Sequence, residues 1–491
     1  MLLTSRWYLT SQHRYPRSVP AVRRTLPPHM PHTLRRSCVM LAAATLATAA
    51  PAAAQRTTLE KLVHQQKLEN GLDVIVMENH AVPIATAEII FRGGASTQEP
   101  NDQGVPHLFE HMLFKGYRGG SGSFDSQAAD LHASSNGTTD DEAVTYYLTL
   151  PSRKVENAID LLAGLVRNPH FDRDDLQTER HVVFGEFNRN ESNQLFLLNR
   201  EVERRLWGAS FHRKNTIGEA IPMLKVTPDR LSEIYKKYYV PNNAALVVTG
   251  DVVAERVFEA ARKRFGSWKA EPDPFVANPI PPMPPLMKTE IAILEGEVEH
   301  ITLEIAWQGP SVRGDPAATY AADAMAGVVN DEQSQFQRHL VDAGFFQTAS
   351  LYYQPLDHTG PITFSGTTSM SQLASALTAL EAELRMMSSP DYFTVEELEG
   401  AKKRRAVHGV LELEQGAGLA HSVGYWWAVS GLDFYLGYVD NLSTRTPADL
   451  NAFVARYITK RPFVIGILTT PADGAQVEIY LKQYVDLAED R

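Results

Sequence analysis

The sequence predicts an α+β protein of two similar domains, each a mainly antiparallel sheet backed by helices. Two observations lead to this prediction. A proline-rich stretch, residues 271–288, divides the chain near its middle, and its composition favours an extended connector over a helix or strand. The segments on either side of it begin with apolar strand patterns and continue with amphipathic helix patterns, which is typical of sheets backed by helices.

Two Thr-Pro motifs indicate that the halves repeat one another. Thr227-Pro228 and Thr446-Pro447 each precede a helix pattern and then an apolar strand, and three landmarks of the two segments share one offset of 219 residues. Thr-Pro favours a helix start, because threonine caps the helix and proline fits its first turn. The predicted domains are residues 55–270 and residues 289–491.

Residues 1–54 have the composition of a targeting region. They contain seven Arg, no Asp or Glu, an apolar run from Val39 to Ala50, and an Ala-Ala-Ala sequence ending at Ala54. This order predicts a secretory signal peptide that is cleaved after about Ala54. The apolar run is too short to span a membrane. The long, proline-containing segment before Met30 favours a translation start at Met30.

Charge and cysteine usage narrow the possible functions. Removal of the seven arginines of residues 1–54 changes the formal net charge from −11 to −18, which argues against a nucleic-acid partner. The one cysteine, Cys38, also lies in the targeting region. The exported chain therefore has no disulfide, which is compatible with the bacterial periplasm, and a metal site in it must use histidine and carboxylate ligands.

The motif His107-x-x-Glu110-His111 suggests metal chemistry. Pro106 near its start and Gly116 after its end suit a short helix, on which histidines four residues apart leave the same face. Two such imidazoles can bind one Zn²⁺ ion, and Glu110 beside them can accept a proton from the attacking water. Taken alone, the motif also suits a helix whose histidines are surface or core groups.

A second helix pattern, residues 174–189, places Glu179 and Glu186 nearly on one face. A catalytic zinc ion takes three protein ligands, and two His with one Glu are a standard set. We therefore expect Glu186 to be the third ligand and Glu179 to orient a ligating histidine. Without the histidine motif, both glutamates would be assigned to a solvated acidic face. The repeat places the basic segment 401–409 at the equivalent position, so the second half is expected to be metal-free.

Together these motifs resemble the pitrilysin/insulinase family of zinc metallopeptidases, in particular its bacterial, mitochondrial-processing-peptidase-like branch. The resemblance extends from about residue 57 to the end of the chain. It implies a metalloendopeptidase with one zinc ion per chain and two domains arranged as halves of a clam-like chamber that admits unfolded peptides. In that family the positions of His107, His111 and Glu186 bind the metal, and the position of Glu110 is the catalytic base.

The segment Asn136-Gly137-Thr138-Thr139 also matches the family. The resemblance implies that Asn136 and Gly137 lie in an edge strand, which pairs with an extended peptide substrate. The alternative is that Asn-Gly forms a turn before the strand pattern of residues 144–148.

One pair expected from the resemblance is missing. Active relatives usually supply an Arg and, seven residues later, a Tyr that hold the substrate carbonyl, but the matching positions here are Leu340 and Gln347. We therefore expect a zinc-carrying subunit of a hetero-oligomer, in which a homologous chain supplies the pair; a homodimer is the other possible assembly. The alternatives are a non-catalytic structural subunit of the same family and a protease dedicated to one peptide precursor.

Overall fold

The computed structural model describes residues 60–413 and 416–489, so the predicted targeting region lies outside the described residues. The strands of the first half are β1 (Val63–Lys67), β2 (Asp73–Glu78), β3 (Ile84–Arg92), β4 (Ser134–Thr139), β5 (Ala143–Pro151) and β6 (Ala244–Gly250). They form one sheet in the order β1-β2-β6-β3-β5-β4. Strands β2 and β6 are parallel, and the other neighbours are antiparallel.

Helices lie between and after these strands in the chain, and several of them pack in the core on one face of the sheet. They are α1 (Val105–Phe114), α2 (Phe124–Asp130), α3 (Val155–Arg167), α4 (Arg173–Glu191), α5 (Gln194–Trp207), α6 (Ala220–Lys225), α7 (Pro228–Tyr238), α8 (Ala254–Phe265) and α9 (Pro274–Ala277). The amphipathic helix α3 buries Ile159, Leu162 and Val166 in the core under the sheet. The apolar stripe predicted there is therefore a packing surface.

The second half contains a five-stranded sheet in the order β7-β11-β8-β10-β9. Its strands are β7 (Glu290–Glu295), β8 (Ile301–Gln308), β9 (Thr348–Tyr353), β10 (Pro361–Thr368) and β11 (Val464–Thr469). Its helices are α10 (Pro316–Val329), α11 (Gln335–Gln337), α12 (Leu373–Met387), α13 (Val395–Glu412), α14 (Gly416–Val429), α15 (Leu432–Leu436), α16 (Tyr438–Ser443), α17 (Pro447–Tyr457) and α18 (Gly474–Glu489). Among the described helices, none is long and apolar enough to cross a membrane.

The two halves share one topology, which confirms the predicted repeat and α+β class. Strands β2-β6-β3-β5-β4 correspond in order and direction to β7-β11-β8-β10-β9. Helices α7 and α17 differ by 219 residues at both ends. The side chains of Thr227 and Thr446 accept hydrogen bonds from the backbone N–H groups of Arg230 and Asp449. Each Thr-Pro motif therefore caps its helix as predicted.

Each half sends one helix across to the sheet of the other half. Helix α5 packs Leu198 and Val202 against β8 and β11. Helix α14 packs Leu419 and Val423 against β3 and β6. The second face of each sheet is thereby buried, which explains why β6 reads as a continuous apolar run. The two repeats are consecutive in sequence, but their cores are completed reciprocally.

The connector differs from the predicted extended segment in one place. Residues 274–277 form the short helix α9, because the side chain of Asp273 accepts hydrogen bonds from the N–H groups of Phe275 and Val276. Pro274 lies in its first turn, where proline is tolerated. Local capping thus outweighs the proline content there. Residues 278–288 form no helix or strand.

The acidic turn between β4 and β5 joins the halves. The Glu142 carboxylate is buried and accepts hydrogen bonds from the backbone N–H groups of Asp357 and His358. Burial opposes its ionisation, but the bond with His358 and the charge of Lys214 hold the pKa of Glu142 below its ordinary value. This contact fixes the hairpin just beyond Thr139, the last residue of β4.

Candidate metal centre and catalytic site

Helix α1 carries the predicted histidine motif. Gly104 precedes it with a φ of 83°, a left-handed conformation that favours glycine, and Pro106 occupies its first turn. Its inner face, which includes Leu108 and Met112, is completely buried in the first core. That packing fixes the helix and leaves the rings of His107 and His111 side by side at its edge, with their centroids 4.8 Å apart.

Helix α4 brings Glu186 to these two histidines. Nε2 of His107 and Nε2 of His111 lie 3.5 Å and 3.7 Å from the same Oε2 atom of Glu186. A tetrahedral zinc ion with bonds of about 2.0–2.1 Å separates its ligand atoms by about 3.4 Å, whereas N–H···O hydrogen bonds span about 2.7–3.2 Å. Both N···O distances therefore match the spacing of ligands around one ion, and the three ligand atoms all lie within 4.8 Å of one another. In residues 60–413 and 416–489, no other group of three acidic, His or Cys side chains has metal-binding spacing.

The carboxylate of Glu179 contacts the other ring nitrogen of His111. Its Oε2 is 3.2 Å from Nδ1 of His111, and its Oε1 is 3.1 Å from Nζ of Lys115. Engagement of Nδ1 by the carboxylate leaves Nε2 of His111 to face Glu186, which is the usual support of a metal-binding histidine. Nδ1 of His107 is buried without a hydrogen-bond partner in the described part of the chain. Within residues 60–413 and 416–489, His111 is thus the one of these two histidines that contacts an outer carboxylate.

The two histidines differ in charge. Burial, together with the neighbouring His111, lowers the pKa of His107 to about 4, so this ring is neutral at pH 7. Burial also opposes a charge on His111, but its bonds to Glu179 and Glu186 outweigh burial and raise its pKa to about 9. The bonds to His111 likewise hold the pKa of both glutamates below the ordinary value despite burial. Without a metal, His111 carries a proton that an incoming ion must displace.

We expect zinc binding at pH 7 to release about one proton per chain, the proton of His111. His111 is protonated below its pKa of about 9 in the metal-free protein and must be neutral as a ligand, whereas His107 is already neutral. Zinc affinity should therefore rise with pH until His111 has lost its proton. Calorimetric titration in two buffers of different ionisation enthalpy measures the number of protons. Zinc binding without proton release would contradict this charge assignment.

Glu110 is a buried acid beside the three candidate ligands. It is 7% exposed, and burial raises its pKa to about 7 even though a hydrogen bond from Thr139 favours the ionised form. Oγ1 of Thr139 donates this bond to Oε2 of Glu110 over 2.7 Å. A carboxyl group with a pKa near 7 can both accept and return a proton at neutral pH.

Asn136 and Gly137 lie within β4, at the edge of the first sheet. The alternative turn assignment is therefore wrong, and the chain turns instead at residues 140–142. In the described residues β4 pairs with β5 alone. Its second edge can accept an added strand.

Thr139, the last residue of the segment Asn136-Gly137-Thr138-Thr139, and Lys115, which follows the histidine motif, also belong to the site, although the motifs predict no role for either. For Thr139 the strand periodicity is informative, because residues 137 and 139 of a strand lie on the same face. Lys115 is four residues after His111, one helical turn away. Neither spacing identifies the partner, which depends on how α1 packs against β4 and α4.

Helix α4 contains a glycine, Gly185, directly before Glu186. A Cβ atom at this exposed position meets nothing within 4 Å. Because glycine inside a helix costs about 0.5–1 kcal/mol relative to alanine, we expect Gly185→Ala to raise the free energy of unfolding by about that amount. Urea unfolding of the metal-free protein measures it. The matched control, Gly164→Ala in α3, should destabilise the fold, because its Cβ would overlap the ring of Tyr117.

The second half does not reproduce the site. Helix α13 corresponds to α4, and it carries Ala401 and His408 at the positions of the two glutamates. Leu340 is completely buried in the second core, inside a π-helical turn at Arg338–Asp342. Gln347 is exposed, and its side-chain amide lies 3.1 Å from Nδ1 of His300. Neither residue provides the cation and phenol expected from the resemblance.

The fold and the site together define a class. It is a protein of two repeated α+β domains with one candidate His-His-Glu metal centre in the first domain. Residues 73–219 match the insulinase family model, peptidase family M16, and residues 225–405 match the model described as the peptidase M16 inactive domain. The chain therefore belongs to the insulinase (M16) family, and the resemblance proposed from its motifs is confirmed.

Curated relatives are distant in sequence. An uncharacterized zinc protease of Bacillus subtilis is 22% identical over 356 residues, which cover 72% of this chain and 85% of the relative. A probable mitochondrial-processing peptidase subunit beta of Arabidopsis thaliana is 24% identical over 267 residues, which cover 54% of this chain and 50% of that protein. These relatives are named as zinc proteases or processing-peptidase subunits, which supports a peptidase family with zinc as its metal.

Solved structures share the fold. A protease from Helicobacter pylori superimposes with a TM-score of 0.74 at 19% identity, covering 83% of this chain and 99% of the other. The periplasmic protease PqqL from Escherichia coli gives a TM-score of 0.70 at 16% identity, covering 87% of this chain and 50% of that one. At these identities the likeness establishes the two-domain architecture.

Proposed function

We propose that this protein is a zinc-dependent endopeptidase that hydrolyses unfolded peptides. The observation that carries the proposal is the convergence of Nε2 of His107 and Nε2 of His111 on one carboxylate oxygen of Glu186, with the buried acid Glu110 on the same helix. His107, His111 and Glu186 would hold one Zn²⁺ ion. Such an ion polarises a substrate carbonyl and lowers the pKa of a water molecule towards about 7.

Other residues of the chain would transfer the proton, orient a ligand and bind the substrate. Glu110, buried beside the candidate ligands, would accept a proton from the attacking water and return it to the leaving amine. Glu179 keeps Nε2 of His111 facing the metal, and Lys115 holds Glu179 in place through its other oxygen. The substrate adds as a strand along the open edge of β4, beside Asn136.

We further propose that the chain works with a second, homologous subunit, or as a homodimer, around a closed chamber. The support is the position of Leu340, which lies in the core where the family usually has an arginine. Relatives include subunit 1 of a mitochondrial cytochrome b-c1 complex as well as processing-peptidase beta subunits. The predicted signal peptide and the periplasmic PqqL structure support a periplasmic location.

The burial of Leu340 at the position where the family usually has an arginine also favours a second candidate function, that of a non-catalytic structural subunit. One assay separates the two. The purified chain is tested for peptide hydrolysis and for zinc, alone and mixed with a homologous chain that has the Arg/Tyr pair. Hydrolysis that needs the second chain supports the split site, and hydrolysis by the chain alone removes the requirement for a partner. One zinc ion without hydrolysis in either case favours the structural subunit.

A further inference from the structure

Helix α1 and strand β4 pack against each other with the general-base candidate at their contact. Glu110 and Phe114 are one turn apart on α1, and Gly137 and Thr139 are two residues apart on β4, so each pair shares a face. Gly137 and Thr139 are buried, whereas Asn136 on the opposite face of β4 is exposed. The strand therefore presents one face to the helix.

The two contacts across this interface are of different kinds. Oγ1 of Thr139 donates a 2.7 Å hydrogen bond to Oε2 of Glu110, and both residues are at least nine-tenths buried. At Gly137 a Cβ atom would lie 3.0 Å from the ring of Phe114 and 3.0 Å from the carbonyl oxygen of Thr145. Its φ lies outside the left-handed region, so Gly137 is required by close packing and not by backbone conformation.

We propose that β4 positions the general base: Thr139 fixes the Glu110 carboxylate through Oε2, and Gly137 permits the close approach that brings Thr139 within reach. The inference rests on the proposed function, because it assumes that Glu110 accepts the proton. It assigns Gly137 to the inner face of the strand, where it acts through Thr139, and leaves substrate contact to the outer edge and Asn136. Thr139 and Gly137 are thus positioning residues.

A carboxylate that keeps one oxygen in a fixed hydrogen bond presents the other oxygen in one direction. The Thr139 hydroxyl is the side-chain hydrogen-bond donor that the structure gives to Glu110. Without it, the buried carboxylate can rotate, and proton transfer is sensitive to small misplacements of the reacting groups. The expected defect is therefore in kcat, with substrate binding and zinc content preserved.

Four variants of the full chain test this assignment: Thr139→Val, Thr139→Ser, Gly137→Ala and the double variant Thr139→Val/Gly137→Ala. Thr139→Val should lower kcat about tenfold or more with KM within about twofold, and Thr139→Ser, which keeps the hydroxyl, should restore most of the rate. Gly137→Ala should lower kcat in the same way. Because both act through one hydrogen bond, the double variant should be little worse than the poorer single variant.

Unchanged kcat in Thr139→Val would overturn the proposal, and so would a Gly137→Ala variant whose KM rises while kcat stays constant. A crystal structure of zinc-loaded Thr139→Val provides a readout that does not need activity: the Glu110 carboxylate should leave its wild-type position. If wild-type protein binds no zinc or hydrolyses no peptide, the proposed function fails. If wild type is active and Glu110 stays in place in the variant, only this inference fails.

Discussion

Replacement of Glu110 by glutamine is expected to abolish peptide hydrolysis while one zinc ion per chain is retained. The amide has the shape of the carboxylate and still accepts the bond from Thr139, but it cannot take the proton of the attacking water. Loss of a positioned general base costs about 10²–10⁴-fold in rate. The three candidate ligands, including Glu186, are unchanged. Initial rates and zinc analysis of one preparation measure both quantities.

The matched control is Glu69→Gln, which makes the same change at an exposed glutamate in the turn between β1 and β2. It should hydrolyse peptides at the wild-type rate. Residual hydrolysis by Glu110→Gln within about tenfold of wild type would show that another group accepts the proton.

The second large effect is expected on metal affinity. Glu186→Gln removes the negative charge of a candidate ligand whose Oε2 faces Nε2 of both histidines, and carboxylate oxygen is the form that Zn²⁺ binds. Removal of an outer hydrogen-bond partner of a ligand typically weakens metal binding about 10–100-fold. We expect Glu186→Gln to weaken zinc binding by more than that. Competition with a chelator of known affinity measures the dissociation constant.

Glu179→Gln is the natural comparison, because it removes the same charge seven residues earlier on the same helix. Its carboxylate contacts Nδ1 of His111 and Lys115 rather than the Nε2 atoms. Its loss should stay within about 10–100-fold. Equal effects of the two substitutions would mean that the site attracts zinc by general negative charge and not by ligand geometry.

The parts of the site that follow from helical spacing could be predicted from the sequence. Residues four apart on α1 and seven apart on α4 share a face wherever those helices lie, so spacing and family resemblance together predict His107, His111, Glu179 and Glu186 as candidate site residues. The internal repeat could also be predicted from the sequence, because the Thr-Pro caps of α7 and α17 depend on local sequence alone.

Features that depend on packing between distant segments could not be predicted. An amphipathic pattern shows that α5 and α14 bury a face, but it does not say that each covers the sheet of the other half. The roles of Thr139 and Gly137 likewise depend on the contact between β4 and α1. The Asn-Gly pair fitted a turn as well as a strand, and pairing with β5 decides for the strand.

The most direct test of the central claim is anomalous scattering from a crystal of the zinc-loaded protein, recorded above and below the zinc absorption edge. The account predicts one zinc peak per chain, within about 2.0–2.2 Å of Nε2 of His107, Nε2 of His111 and a carboxylate oxygen of Glu186. A peak at other side chains, or none in protein that binds zinc stoichiometrically in solution, would contradict it.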